Sequence, residues 1–198
     1  MTNMDNTTSK KIAEFVFDKV LNALSDSEKM IPISYSDATF EKWLVTEVYC
    51  RIYNSWKELE LRKANWNTFI EFERPNGNGY IDLAVGPFKQ TPLTIELDTP
   101  VFEFKIWRDD GNDRNGSIKA DIQKLKESHF SEAYLVIIYW WTQNKENRIH
   151  RFTESIDEIY FKKVEFKDKE SLQIPSNIEL GGIEPYEVIF KAQLCKVV

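Results

Sequence analysis

Val101-Phe102-Glu103-Phe104-Lys105-Ile106-Trp107 decides how the rest of the chain is read. It is rich in Phe, Val, Ile and Trp, residues that suit a pleated, half-buried surface. Successive side chains on a strand point to opposite faces. Phe102, Phe104 and Ile106 therefore share one face, and Glu103 and Lys105 share the other. Burying an unmatched charge is expensive, so this charged pair must answer to something elsewhere in the chain.

Working outward, Ala133–Trp141 (AYLVIIYWW) is an uninterrupted apolar run, as expected for a strand covered on both faces. Residues 117–127 lie between the two runs and repeat apolar residues at Ile118, Ile122 and Leu125, with Ser117 as a cap. That pattern predicts a helix. The loop 109–116 has a superficial likeness to a calcium loop, but its acidic and glycine positions do not fit the ligand spacing. Upstream, Pro100 should break the strand from a preceding piece at 93–97. Runs 66–74 and 79–85 flank Pro75-Asn76-Gly77-Asn78, a hairpin signature. In the second run Ile81, Leu83 and Val85 should share one face, and Tyr80, Asp82 and Ala84 the other. Asp is disfavoured in strands, so Asp82 is a second anomaly. A turn is expected at Gly86-Pro87.

Two helices precede the hairpin. Ile12, Phe15, Val16, Val20, Ala23 and Leu24 mark one over residues 10–24. Ser36 or Asp37 can cap another over 38–59, with a stripe of Phe40, Trp43, Leu44, Val48, Ile52 and Leu59. Glu47 sits within that stripe and is a third anomaly, unless it simply pairs with Arg51 one turn on. Beyond residue 142 the pattern weakens: a helix over 150–161 and strands at 164–166 and 186–197 are expected. The simplest packing is an α/β mixed sheet flanked by helices. The organisation is one domain over 1–198. A disordered tail covers 1–9, an N-terminal helix lies in 10–37, a core spans 38–141, and 142–198 is a C-terminal elaboration.

The chain has 198 residues, 42% of them hydrophobic, and a formal net charge of −6. No segment is basic, which argues weakly against nucleic-acid binding. There is no apolar run long enough to span a membrane and no signal-peptide core, so a cytoplasmic protein without a membrane partner is expected. Cys50 and Cys195 form no CxxC pair or Cys/His cluster, which argues against zinc. Cys50 falls in the helical pattern and is expected to be buried; a disulfide is disfavoured in a reducing compartment. His129 and His150 stand apart from any Ser or Cys motif, so a hydrolase triad is not indicated. No Gly-rich phosphate loop occurs. Trp140-Trp141 could stack bases, although aromatics at the end of an apolar strand are more often core. Glu96 and Asp98 share a strand face and are alternative ligands, without a lysine at the matching spacing.

If the hairpin and the 101–107 strand are neighbours, Asp82, Glu103 and Lys105 converge. Two carboxylates and a backbone carbonyl form a partial shell for Mg²⁺, and a lysine beside them can orient water or stabilise developing negative charge. Asp82 followed by Glu103-Phe104-Lys105 resembles the D…ExK signature of the PD-(D/E)XK nuclease superfamily. That family has a restriction-endonuclease-like fold with core order helix, three strands, helix, strand. The resemblance covers about residues 38–141, and helix 117–127, with Asp121 and Leu125, falls where members place theirs. It implies that Asp82 and Glu103 bind Mg²⁺, or Mn²⁺ in its place, with the Phe104 carbonyl as a further ligand. Lys105 would position or activate water. Glu47 would hold a second metal or orient the hydrated first one. Ile81 stands where many members carry proline, and no Gln-x-x-x-Tyr pattern follows, since residue 127 is Glu. The implied activity is metal-dependent hydrolysis of DNA, as an endonuclease, and cutting both strands would call for a homodimer. Two other readings stay open: a nuclease-fold protein kept as a binding or assembly module, and an ordinary interaction domain in which Glu103 and Lys105 are a cross-strand pair.

Overall fold

The computed structural model describes residues 6–26, 40–58, 66–74, 79–90, 93–95, 97–108, 115–142, 161–163, 172–174 and 188–197. Helix α1 is Asn6–Leu24 and α2 is Phe40–Ser55, continued by a 3₁₀ turn, Trp56–Glu58. Strand β1 (Trp66–Glu73) pairs antiparallel with β2 (Tyr80–Gln90), and β3 is Leu93–Ile95. Strand β4 (Val101–Arg108) leads through α3 (Asn115–Glu127) to β5 (Ala133–Thr142). Three further strands follow: β6 (Phe161–Lys163), β7 (Leu172–Ile174) and β8 (Val188–Val197). The sheet is mixed, with main order β1-β2-β4-β5-β8-β6; β3 joins β2 and β7 joins β8. The parallel pair β4–β5 runs in register from Val101↔Ala133 to Arg108↔Trp140. A parallel pair needs a crossover, and α3 lies in it.

The two faces of the sheet are covered differently. Helices α1 and α2 bury Ile12, Val16, Val20, Leu44, Val48 and Ile52 against Leu83, Val85, Phe102, Phe104, Tyr134 and Val136. On the opposite face α3 buries Ile118, Ile122 and Leu125 against Val101, Ala133, Leu135 and Ile137. The alternation in β4 is thereby explained: Phe102, Phe104 and Ile106 face α1 and α2, while Glu103 and Lys105 face α3. The continuous apolar run of β5 is a strand covered on both sides.

The sequence-based expectations are corrected in several places. Residues 6–9 are helical and Ser9 is buried, so they do not belong to a tail. Helix α3 begins at Asn115, before Ser117. Gly86-Pro87 is not a turn: Gly86 takes a φ of 150°, which glycine adopts readily, and β2 continues past it to pair with β3. Cys50 is exposed and Cys195 is the buried cysteine; neither forms a disulfide. The 142–198 region is not merely an elaboration, because β8 pairs with β5 along Tyr134↔Lys196 to Thr142↔Val188. It also buries Leu194 and Cys195 in the two cores. The expected helix at 150–161, the strand at 164–166 and the caps Ser36 and Asp37 lie outside the described residues, apart from Phe161 in β6. Among the described residues no helix is long and apolar enough to cross a membrane.

The faces of β2 also depart from strict alternation. Ile81 packs with Ala84 on the α3 side, whereas Leu83 and Val85 pack on the α1–α2 side. The change coincides with a distortion in the neighbouring strand. Glu71 of β1, across from Asp82, has a left-handed φ of 47°. The ladder is broken there: Ile70↔Leu83 and Phe72↔Ile81 pair, but not the residues between. Beyond this point β2 peels away from β4, which it meets only at Leu83↔Phe102 and Ala84↔Val101.

A left-handed conformation costs a residue with a Cβ about 1–2 kcal/mol, and the Lys42–Glu71 ion pair at 3.6 Å is too exposed to offset much of it. Glu71→Gly is therefore expected to leave stability unchanged or raise it by up to ~1 kcal/mol. Glu73→Gly in the same strand should cost roughly 0.5–1 kcal/mol. Urea midpoints of the two variants compare them; equal losses would show that Glu71 is not strained.

Candidate functional site

The divergence of β2 from β4 leaves a notch in the sheet, and the polar residues collect there. A strand N–H without a ladder partner must be satisfied another way. Asp82 turns its carboxylate into the notch, where Oδ2 accepts the Phe104 N–H at 2.8 Å. Further along β4, Glu41 Oε2 accepts the Ile106 N–H at 3.4 Å. Carboxylates thus stand where a neighbouring strand would otherwise supply carbonyls. Glu41 comes from the first turn of α2, on one side of the sheet, and the other members of the group come from the α3 side.

Lys105 Nζ lies 3.1 Å from Asp121 Oδ2 and 3.8 Å from Glu41 Oε2. Lys124, one turn beyond Asp121 on α3, places Nζ 2.6 Å from Glu103 Oε1. The Asp82 and Glu103 carboxyl groups lie close enough to shift each other's ionisation. Four carboxyl groups and two ammonium groups therefore share one notch. Glu103 Oε1 and Asp121 Oδ2 are closed off from solvent and receive no well-directed hydrogen bond; what each has is an ammonium at contact distance.

The electrostatics follow from crowding and burial. Desolvation, followed by the charge of Asp82, raises the Glu103 carboxyl to about 8, against the opposing pull of Lys124. Desolvation also raises Asp82, with the Phe104 N–H and Lys124 acting the other way. Glu41 is raised by desolvation too, opposed chiefly by Lys105. For Lys105, desolvation lowers the pKa, but Glu41, Asp121 and Asp82 together outweigh it and hold the ammonium above its ordinary value.

Of the residues named from sequence, the structure brings together Asp82, Glu103 and Lys105, and places the Phe104 backbone against Asp82. Glu47 points elsewhere. Its Oε1 pairs with Arg51 at 2.8 Å, and Arg51 also reaches Asp26 Oδ2 at 2.9 Å, tying α2 to the end of α1. The acidic residue that α2 brings to the notch is Glu41. Glu96 and His150 lie outside the described residues, Asp98 sits in the turn before β4, and His129 is an exposed residue just past α3. The backbones of Trp140 and Trp141 pair with Phe190 and Ile189 of β8.

Glu41 and Asp121 carried readable signals. Glu41 precedes the buried Val45 and Val48 by four and seven residues, and so shares their side of the helix. As an acidic residue in a first turn it is equally well explained by the helix dipole, which hides it. Asp121 falls inside the Ile118–Ile122–Leu125 stripe, an uncommon place for a carboxylate.

Among the described residues, no group of three or more His, Cys, Asp and Glu side chains is arranged as a ready ligand set for a metal ion. The donor chemistry nonetheless suits a hard divalent cation: two neighbouring carboxyl groups that shift each other's ionisation, with water making up the shell. No family model, curated protein or solved structure matches the chain.

Proposed function

We propose that this protein is a metal-dependent nuclease of restriction-endonuclease-like fold that hydrolyses DNA phosphodiester bonds. The observation that carries this reading is the notch between β2 and β4. There Asp82 and Glu103 lie close enough to shift each other's ionisation, and Lys105 is held between Glu41 and Asp121. Like-charged carboxyl groups in a desolvated site repel one another, so the pair favours a cation that can share them. Asp82, Glu103 and the Phe104 carbonyl would hold Mg²⁺ or Mn²⁺. Bound there, the cation would supply positive charge against the phosphoryl oxygens.

The chain's own residues divide the remaining work. Asp82 is fixed by the Phe104 N–H, so one of its oxygens is oriented before any ligand arrives. Lys105 supplies a fixed ammonium, positioned by carboxylates from two helices, that can orient a water molecule or stabilise negative charge developing on phosphate. The partly desolvated setting strengthens both effects. Glu41 and Asp121 are positioning residues for Lys105.

A second reading is favoured by the absence of a ready three-residue metal set among the described residues. It is a nuclease-fold protein with weak or no catalysis that serves as a binding or assembly module. Plasmid and single-stranded DNA incubated with Mg²⁺ or Mn²⁺ separate the two. The nuclease reading expects cleavage by the wild-type protein, reduced about 10²–10³-fold in both Lys105→Ala and Asp82→Ala. DNA binding without cleavage supports the module, and cleavage that survives both substitutions removes the proposed site.

A further inference from the structure

The notch holds two lysines, and their surroundings differ in kind. Lys105 is carried by β4 and clamped by carboxylates from two helices. Lys124 has one ion-pair partner among the described residues, Glu103, at 2.6 Å. Its backbone belongs to α3, and Arg74 Nη1 donates to its carbonyl at 3.3 Å. Its side chain is 26% exposed, whereas that of Glu103 is 3% exposed. The backbone of Lys124 is thus anchored, while its ammonium can reach water by rotating a flexible four-carbon stem.

We infer that Lys124 is an exchangeable counter-ion of Glu103, displaced from that carboxylate when a divalent cation binds. This rests on the metal part of the proposed function. An ammonium at 2.6 Å from Glu103 Oε1 and a divalent cation at its usual ~2.0–2.1 Å from the same carboxylate would crowd each other. Like charges that close, in a partly desolvated notch, repel strongly. Lys105 is spared, because its direct partners are Glu41 and Asp121. Once displaced, the Lys124 ammonium is free at the mouth of the notch, within the reach of its stem, to meet a phosphate oxygen of a nucleic-acid strand. Lys124 therefore sets the concentration of cation that the site needs.

The probe is Mn²⁺ alone, with free ion counted by its electron paramagnetic resonance signal and no nucleic acid present. Lys124→Met is expected to bind Mn²⁺ about tenfold more tightly than wild type, because a competing unit charge has been removed at close range. Lys105→Met should gain clearly less. Lys119→Met, at an exposed position on α3, should match wild type and controls for net charge. Lys124→Gln gives a second reading of the same site should the Met variant fold poorly. Damage to the fold would not tighten binding. The inference is overturned if Lys124→Met binds no more tightly than wild type, if Lys105→Met gains as much, or if none of the proteins binds Mn²⁺. Tightening in a protein that cuts no DNA would leave the inference standing and sink the nuclease reading. Cleavage by wild type without tightening would do the reverse.

Discussion

Glu103→Gln is expected to stabilise the protein at alkaline pH, with most of the gain appearing as pH rises from 5 to 9. Glu103 ionises near 4.5 when unfolded, but its folded-state value is about 8. Between those values the folded chain holds a proton that the unfolded chain has released. The unfolded state binds fewer protons there, so stability falls as pH rises through this window. Each tenfold difference in proton affinity between the two states is worth ~1.4 kcal/mol, so the loss by pH 9 is roughly 3–5 kcal/mol. The Glu103 side chain is only 3% exposed, so solvent screening removes little of it. Asp82 and Glu41 are raised in the same direction and add losses of the same sign. An amide at position 103 carries no charge at any pH, and Lys124, its former partner, can turn to water. Urea unfolding at pH 5 and pH 9 tests this. Wild type should lose stability between the two pH values, and Glu103→Gln should lose distinctly less and exceed wild type at pH 9. Parallel losses, or a destabilised variant at pH 9, would contradict a raised Glu103 carboxyl.

On the other face of the same strand, Phe102→Ala is expected to cost ~3–5 kcal/mol. Phe102 is fully buried and stacks on Tyr134 with ring centroids 5.2 Å apart. It belongs to the core that α1 and α2 close over. Truncation removes apolar area and leaves a cavity between two helices and a sheet, where collapse is resisted on several sides. Against a total stability of ~5–15 kcal/mol, such a loss removes a large share of what holds the fold. Ile106→Val, which removes one methylene nearer the edge, should cost only ~0.5–1.5 kcal/mol. Urea titration of both variants gives the comparison, and a loss below ~1 kcal/mol for Phe102→Ala would mean that this core repacks freely.

Reading the chain as a mixed sheet flanked by helices was open to sequence analysis because β4 and β5 carry unambiguous patterns. Strict alternation over 101–107 and continuous apolarity over 133–141 each have one simple interpretation. The hairpin was equally clear from its turn residues. What stayed hidden depends on phase and on distortion. Glu47 and Glu41 lie six residues apart on one helix and face different ways. A one-dimensional stripe could not separate a carboxylate that meets Arg51 from one that meets Lys105. The change of face between Ile81 and Leu83 lies opposite the left-handed backbone of Glu71, a residue whose type gives no hint of it. Convergence of Asp82 with Glu103 itself follows from alternation and register, because Asp82 shares the face of Ala84, which packs on the α3 side, and the pair Leu83↔Phe102 sets it opposite Glu103. Lys124 escaped notice because a lysine near the end of a helix is amply explained by the dipole. The contribution of β8 was missed because its partner in the ladder is far away in sequence.

That long-range pairing has a bearing on how the chain is made. Strand β5 is laid down beside β4 soon after α3 emerges, but its other edge is closed only by residues 188–197. At a synthesis rate of ~5–20 residues per second, the nascent chain spends several seconds with one of its most apolar strands open along a full edge. An open edge of this kind is a template for pairing with other chains. Slow translation, or truncation before residue 188, should therefore favour aggregation or chaperone capture over a soluble fragment.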